Sequence, residues 1–321
     1  MWHFCHMQTF RIRLILFLLI QEQTIRSAVE CEGIGLHSGA PVKLRILPAP
    51  ANTGIIFRRV DLDGFEVEAI GRNVARVSYA TSLMKKGVLI STTEHLLSAL
   101  IGMRIDNAII ELDNLELPIL DGSARPFVDL IRKAGIRKQR RPRTFLRILR
   151  ALEVHEGNKF IGIYPGKSYS ISYTINFPHP MIGREPFKLE LTNGQYVSQI
   201  APARTFGFLH EAEALTQQGL IRGASKENAL VLTRDGLKNP PLRYPDEFVR
   251  HKILDLIGDL ALIGKQVLGN VVADRAGHAM HTALVSRLLR DRTLWEETTM
   301  PEEREEEAIS ESVQDQQILQ N

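Results

Sequence analysis

Only two cysteines, Cys5 and Cys31, occur in the 321 residues, and there is no CxxC pair. That excludes a disulfide framework and a cysteine-built zinc module, and makes a reducing compartment the default. Long apolar runs are missing as well. The run at 14–20 follows Arg11 and Arg13 and falls far short of the roughly 18 residues needed to cross a bilayer. It has the layout of a weak signal peptide, but no A-x-A site follows, and the chain already reads as strand from Thr24 to Cys31. Residues 1–21 are therefore read as a disordered leader on a cytoplasmic protein, with at most peripheral membrane contact.

Neither sign of charge dominates the whole, yet the small net charge of +3 conceals an asymmetry. Residues 301–321 hold seven acids and one arginine, which leaves +9 on the remainder. A body so charged suits an anionic ligand or a membrane surface, without identifying either. The chain turns acidic and rich in glutamate and glutamine from Trp295, and a disordered tail is expected at 298–321. A second charged run, RKQRRPR at 137–143, is polar and contains proline between apolar segments, the signature of a linker. A nucleic-acid patch is the sharper alternative. The run is short and has no interleaved aromatics, so no nucleic-acid partner is expected.

That linker separates two stretches of similar make-up, 22–136 and 144–297, each long enough for a domain. Val42, Leu44 and Ile46 alternate with Lys43 and Arg45, the period of a half-buried strand. Strands are also read at 54–58, 65–70 and 107–112, a hairpin at 81–91 turning at 85–87, and helices at 91–102 and 126–134. The second stretch repeats the mixture. Strands are read at 145–155, 160–164, 169–177 and 267–274, helices at 244–264 and 279–290, and mixed structure at 187–232. An α+β class follows for both stretches.

The helix at 244–264 is apolar almost all round, which marks it as buried. His251, Asp255 and Asp259 nevertheless fall at i, i+4 and i+8 along one line of it. Buried carboxylates one turn apart need a cation or partners. His and Asp at this spacing can both ligate a zinc-type ion; a plain His–Asp hydrogen bond near an exposed edge is the alternative. The same pattern recurs at an offset of 156 residues. His95, Ile101, Gly102 and Gly122 match His251, Ile257, Gly258 and His278. Such an echo suggests duplication, and it would bring His95 and His251 to one metal if the domains pack face to face.

Several other residues have two readings. Glu94 beside His95 suits water activation, but Ser91-x-x-Glu94 also fits a capping box. His278 follows Gly277 at a strand-to-helix turn, where Asp259 could orient and charge-stabilise it; otherwise it only starts a helix. Lys252 is either a polar group of the site or a lysine snorkelling to the surface. In ARTFGF (203–208), Thr205 offers a hydroxyl donor and Phe206 a flat apolar surface.

Taken together, GIGLHSG (33–39), PAPANTGIIFRR (48–59), STTEHL (91–96), ELPILDGSARPFV (116–128), ARTFGF (203–208), DEFVRHKILDLIGDL (246–260) and GHA (277–279) closely resemble one family. It is the UDP-3-O-acyl-N-acetylglucosamine deacetylases, the zinc amidohydrolases that commit bacteria to lipid A synthesis. The resemblance spans 24–295; the leader and the tail lie outside it. It implies two similar domains, each layering helices against sheets, with the active site at their interface, and Zn2+ on His95, His251 and Asp255, with water at the open position. Glu94 is then the general base. His278, supported by Asp259, is the acid, and Lys252 and Thr205 are polar stabilisers. It further implies an acyl-chain passage in an insert near 206–232, with Phe206, Leu209, Leu215 and Val231 as lining. The implied partner is a nucleotide-sugar glycolipid substrate, bound by a monomer. A zinc amidase of another acylated amine, and a non-hydrolytic binding protein on the same fold, are the rival readings.

Overall fold

The computed structural model describes residues 19–77, 79–239 and 241–300. The expected leader up to residue 18 and the tail from 301 lie outside the described residues.

The first half opens with β1 (Gln21–Ile25), β2 (Val29–Ile34), β3 (Pro41–Pro48), β4 (Ile55–Arg59) and β5 (Phe65–Glu68). A small meander follows: β6 (Val74–Arg76), β7 (Ser82–Lys85) and β8 (Val88–Ile90). Then come α1 (Glu94–Gly102), β9 (Ala108–Leu112) and α2 (Arg125–Ala134). Along β3, Val42, Leu44 and Ile46 point inward and Lys43 and Arg45 outward, as the alternation predicts. The β7–β8 hairpin turns on Lys86 and Gly87, both at positive φ. That is the left-handed pair that matches the twist of the flanking strands. The stretch read as one strand from Thr24 is two, bent at 26–28.

The second half contains β11 (Phe145–Ile148), β12 (Leu152–Glu156), β13 (Lys159–Pro165), β14 (Tyr169–Phe177) and β15 (Gly183–Glu190). After them come β16 (Phe206–Phe208), α3 (Leu209–Gln217), β17 (Leu230–Leu232), α4 (Glu247–Leu260), β18 (Gln266–Asp274), α5 (His278–Arg290) and β19 (Trp295–Thr298). Its sheet runs β12-β13-β18-β14-β15, where the first half runs β2-β3-β9-β4-β5. In both, the central strand pairs antiparallel on one side and parallel on the other. The two halves therefore share one topology, as the 156-residue echo suggested.

Helices α1 and α4 occupy equivalent places in the two halves and pack against each other. Nearly every side chain of both is buried, and one continuous apolar core runs through both halves. The close crossing depends on glycine. A Cβ on Gly258 would lie 2.1 Å from the carbonyl oxygen of Glu94, and one on Gly102 would strike the Tyr196 ring. Helix α4 begins at Glu247, later than the apolar pattern implied. Its end is as read: Gly264 takes the left-handed conformation that closes the helical stretch.

Two segments differ from expectation. The basic run does connect the halves, but residues Ile136–Pro142 form a strand, β10, paired antiparallel with β1. Its ladder is satisfied by backbone, and Gln139 reaches Asn107 and the carbonyl of Ala49. No apolar stripe was needed, so the charge pattern concealed it. The acidic end does not start at Trp295, because Trp295–Thr298 pairs with β11 and the Trp295 indole donates to the carbonyl of Leu288. At the other end, Ile20 is buried against Phe145 and Leu268 beside Met300, and Gln21 is already in β1. Among the described residues, no helix is long and apolar enough to cross a membrane.

Candidate active site

The crossing of α1 and α4 sets two histidines edge to face, with ring centroids 5.1 Å apart. They are His95, in the first turn of α1, and His251 of α4. One turn further along α4, Asp255 turns its Oδ1 toward both, 3.3 Å from His251 Nε2 and 3.8 Å from His95 Nε2. All three are buried. Burial, then the neighbouring His251, pushes the His95 pKa down to about 3; burial likewise lowers His251. Both rings are thus neutral near pH 7. Burial alone would raise Asp255, but Lys252 foremost outweighs it and the carboxylate stays ionised; Lys252 Nζ lies 2.6 Å from Asp255 Oδ2.

Two neutral imidazoles and an ionised carboxylate are the protonation state that a divalent cation requires. His251 Nδ1 lies 3.0 Å from the carbonyl oxygen of Ala203, so Nδ1–H donates there and Nε2 keeps its lone pair for the cavity. His95 Nδ1 is buried without a hydrogen-bond partner among the described residues. The ligand atoms of His95, His251 and Asp255 lie within 4.8 Å of one another. These three residues could hold a metal.

Glu94, adjacent to His95, turns its carboxyl into the same cavity, where the Thr81 backbone N–H donates to Oε2 at 3.1 Å. The capping-box alternative is not what forms. Helix α1 starts at Glu94 itself with no side-chain cap, and the Ser91 hydroxyl pairs with Ser82. Burial raises the Glu94 pKa to about 8, with His278 working against it.

His278 opens α5 and borders the same cavity. Its Nδ1 lies 2.7 Å from Asp259 Oδ2, and its Nε2 3.9 Å from Asp255 Oδ2. Burial opposes a charged ring, but Asp259 above all, then Asp255 and Glu94, carry its pKa up to about 9. Asp259 is itself fully buried and held by two residues that the sequence did not single out. The Thr81 hydroxyl donates to its Oδ1 at 2.5 Å, and His281 Nδ1 lies 2.8 Å from Oδ2. His281 Nε2 continues to the Tyr173 hydroxyl, which donates to the carbonyl of Ala276. The His-x-x-His spacing from His278 to His281 was a visible signal for the second. Nothing near Thr81 announces the first, since its partner is 178 residues away.

Glu94, His95, His251, Asp255 and His278 border one cavity of about 390 Å³ between the halves, while Asp259, Thr81 and His281 stand behind His278. Thr205, Lys252 and Lys159 border it too, and Phe177, Phe206, Phe208, Leu215 and Ile221 form an apolar side. Of the expected passage residues, Phe206 and Leu215 reach it. Leu209 is exposed at the start of α3, and Val231 lies in β17 opposite Gly207; neither borders the cavity. The segment itself is a β-α-β unit, with β16 and β17 parallel and α3 between them. Strand alternation turns Val231 away where its neighbours Leu230 and Leu232 are buried.

Two histidines and a carboxylate at one point, with a separate carboxyl and a charged histidine bordering the same cavity, are the apparatus of a metal-dependent hydrolase. The family model for UDP-3-O-acyl N-acetylglycosamine deacetylase (LpxC) matches residues 22–290. Curated proteins named UDP-3-O-acyl-N-acetylglucosamine deacetylase are similar over most of their length. The one from Solibacter usitatus is 54% identical over 276 residues, 86% of this chain and 93% of that protein. The one from Xylella fastidiosa is 44% identical over 88% and 94% respectively, and that from Cellvibrio japonicus 40% over 89% and 95%. The chain belongs to this deacetylase family.

Proposed function

We propose that this chain hydrolyses the N-acetyl amide of UDP-3-O-(3-hydroxyacyl)-N-acetylglucosamine, giving acetate and the free amine, the committed step of lipid A synthesis. The observation that carries this is the meeting of His95, His251 and Asp255 between Glu94 and His278 in one cavity. A zinc ion on those three residues would supply Lewis acidity and ease the ionisation of water.

The protein's own groups divide the remaining work. Glu94 takes the proton of the water that attacks the acetyl carbon. Its raised pKa, near the working pH, suits proton exchange, and a nearby dication favours the ionised form. The amide oxygen gains negative charge as the carbonyl becomes tetrahedral, and Thr205 and Lys252 stand beside the cavity as donors for it. His278 Nε2 gives its proton to the sugar nitrogen as the C–N bond breaks. Asp259 keeps that ring charged and oriented through Nδ1, and Thr81 and His281 hold Asp259. The acyl chain lies along Phe206, Leu215 and their aromatic neighbours. Lys159, at the border of the cavity, offers positive charge to a diphosphate.

One chain supplies every residue of the site, which fits a monomer. The two similar domains are 22–136 and 144–297, and the low cysteine count fits the cytoplasm. The reading is tested by acetate release from the complete substrate and from the analogue lacking the 3-O-acyl chain. Turnover of the first, with much weaker turnover of the second, is expected. Equal rates would point to an amidase of broader substrate class.

A further inference from the structure

The turn that delivers Glu94 and His95 to the cavity is strained. Thr92, a β-branched residue, sits at φ 59, in the left-handed region where such a side chain is an outlier. Strain of this kind persists only where the surroundings over-determine it. Here the fixing group is Glu116, which is buried. Its Oε1 accepts from the Thr92 hydroxyl at 2.9 Å and from the His37 backbone N–H at 2.9 Å, and its Oε2 accepts from the Ser38 N–H at 2.7 Å.

The His37 and Ser38 amides belong to the loop at 35–40, whose Leu36 and His37 border the catalytic cavity together with Thr92. The same loop reaches across to the second half. The carbonyls of Leu36 and His37 accept from the N–H groups of Gly223 and Arg222, next to Ile221, another cavity residue. Space around the carboxylate is fully used: a Cβ on Gly35 would lie 2.3 Å from Glu116 Oε2, and one on Gly223 2.2 Å from the carbonyl oxygen of Gly35.

We infer that Glu116 is a positioning residue for substrate binding, a clamp that fixes two segments of the cavity wall directly, and a third at 222–223 through the loop, without touching the reacting atoms. The start of α1 has its own tie, since the Thr93 N–H and hydroxyl both donate to the carbonyl of Thr81. Glu94 therefore stays in place when the clamp is lost, and the wall formed by Leu36 and His37 does not. The functional half of this inference rests on the deacetylase reading; the geometric half does not.

The test uses Glu116→Gln, which sets an amide NH2 against an N–H that needs an acceptor, and Gly35→Ala, which pushes the carboxylate aside while leaving it ionisable. In the substrate-free protein, amide exchange at His37 and Ser38 should quicken in both variants while that of α4 is unchanged. With the acylated UDP-sugar, KM should rise about tenfold, the scale of lost charge-assisted bonds, with kcat within about threefold. Unchanged exchange at His37 and Ser38 would overturn the clamp. A fall in kcat at constant KM would overturn its role in binding. Should Glu116→Gln fail to fold, Gly35→Ala decides both points alone. Absence of turnover in the wild type would instead defeat the deacetylase reading, and the exchange data would still judge the clamp.

Discussion

His251 turns one ring nitrogen to the Ala203 carbonyl and the other to the cavity, so its replacement removes a ligand without unseating the backbone. His251→Ala is expected to lose most bound metal and turnover together, measured by elemental analysis and acetate release. Full metal content at normal rate would refute the ligand set. Glu94→Gln and His278→Ala should keep the metal and lose about 10²-fold or more in kcat, the usual scale of a lost proton carrier. The pH dependence separates the two. Activity should rise with pH as Glu94 ionises and fall as His278, raised to about 9 chiefly through Asp259, gives up its proton. Asp259→Asn removes that support, so the alkaline limb should move to lower pH while the acidic limb stays nearly still, because Glu94 feels Asp259 and the charged His278 in opposite directions. An unmoved alkaline limb would dissolve the pair. At this scale much was legible: i, i+4 spacing marked His251 and Asp255, and sequence position marked Glu94 beside His95 and His278 after Gly277, and the fold brings all of them to one cavity. Thr81 and His281 escaped because what makes them matter is one carboxylate, Asp259, that only tertiary packing brings within reach.

The elements bring these residues together through a glycine-lined helix crossing. Gly258→Ala forces a Cβ against the Glu94 carbonyl, which is backbone and cannot swing away. The helices must separate, at about 1–3 kcal/mol for overpacking. Lower thermal stability and weaker metal retention are expected together, and a variant with native values of both would contradict the packing account. Helix α3, by contrast, has no buried residue, so it tolerates bulk. Leu215→Trp should weaken long-chain substrates selectively, with little change in melting temperature, while Leu209→Trp, on an exposed position, should leave chain-length preference alone. Equal loss on long and short chains for Leu215→Trp would remove α3 from the acyl passage. Apolar periodicity made α4, β3, β14 and β18 legible. It failed at β10 and β19, whose charged side chains lie on exposed faces and whose pairing is carried by backbone.

Across the whole molecule, the duplicated topology explains why a single cavity draws on both halves: equivalent helices cross, and equivalent histidines meet. The 156-residue echo made that visible before any coordinates, although identity between the halves is low. The ends were harder to read. Ile20 packs with Phe145 and Leu268, and its N–H donates to the carbonyl of Met300. A chain trimmed to 21–297 should therefore melt lower than one trimmed to 19–300. The lost burial of Ile20 alone is worth about 1.5–3 kcal/mol, or several degrees at this size, roughly 2–4 °C per kcal/mol. Identical melting temperatures would show that this end contact contributes nothing. The central claim, that one metal held by both halves drives deacetylation, has a more direct test. The purified protein is stripped of metal, returned to one equivalent of zinc, and assayed for acetate released from UDP-3-O-(3-hydroxyacyl)-N-acetylglucosamine. The account predicts no turnover in the stripped protein and recovery that saturates at one equivalent. Full activity without metal, or one tightly bound zinc with no acetate released, would contradict it.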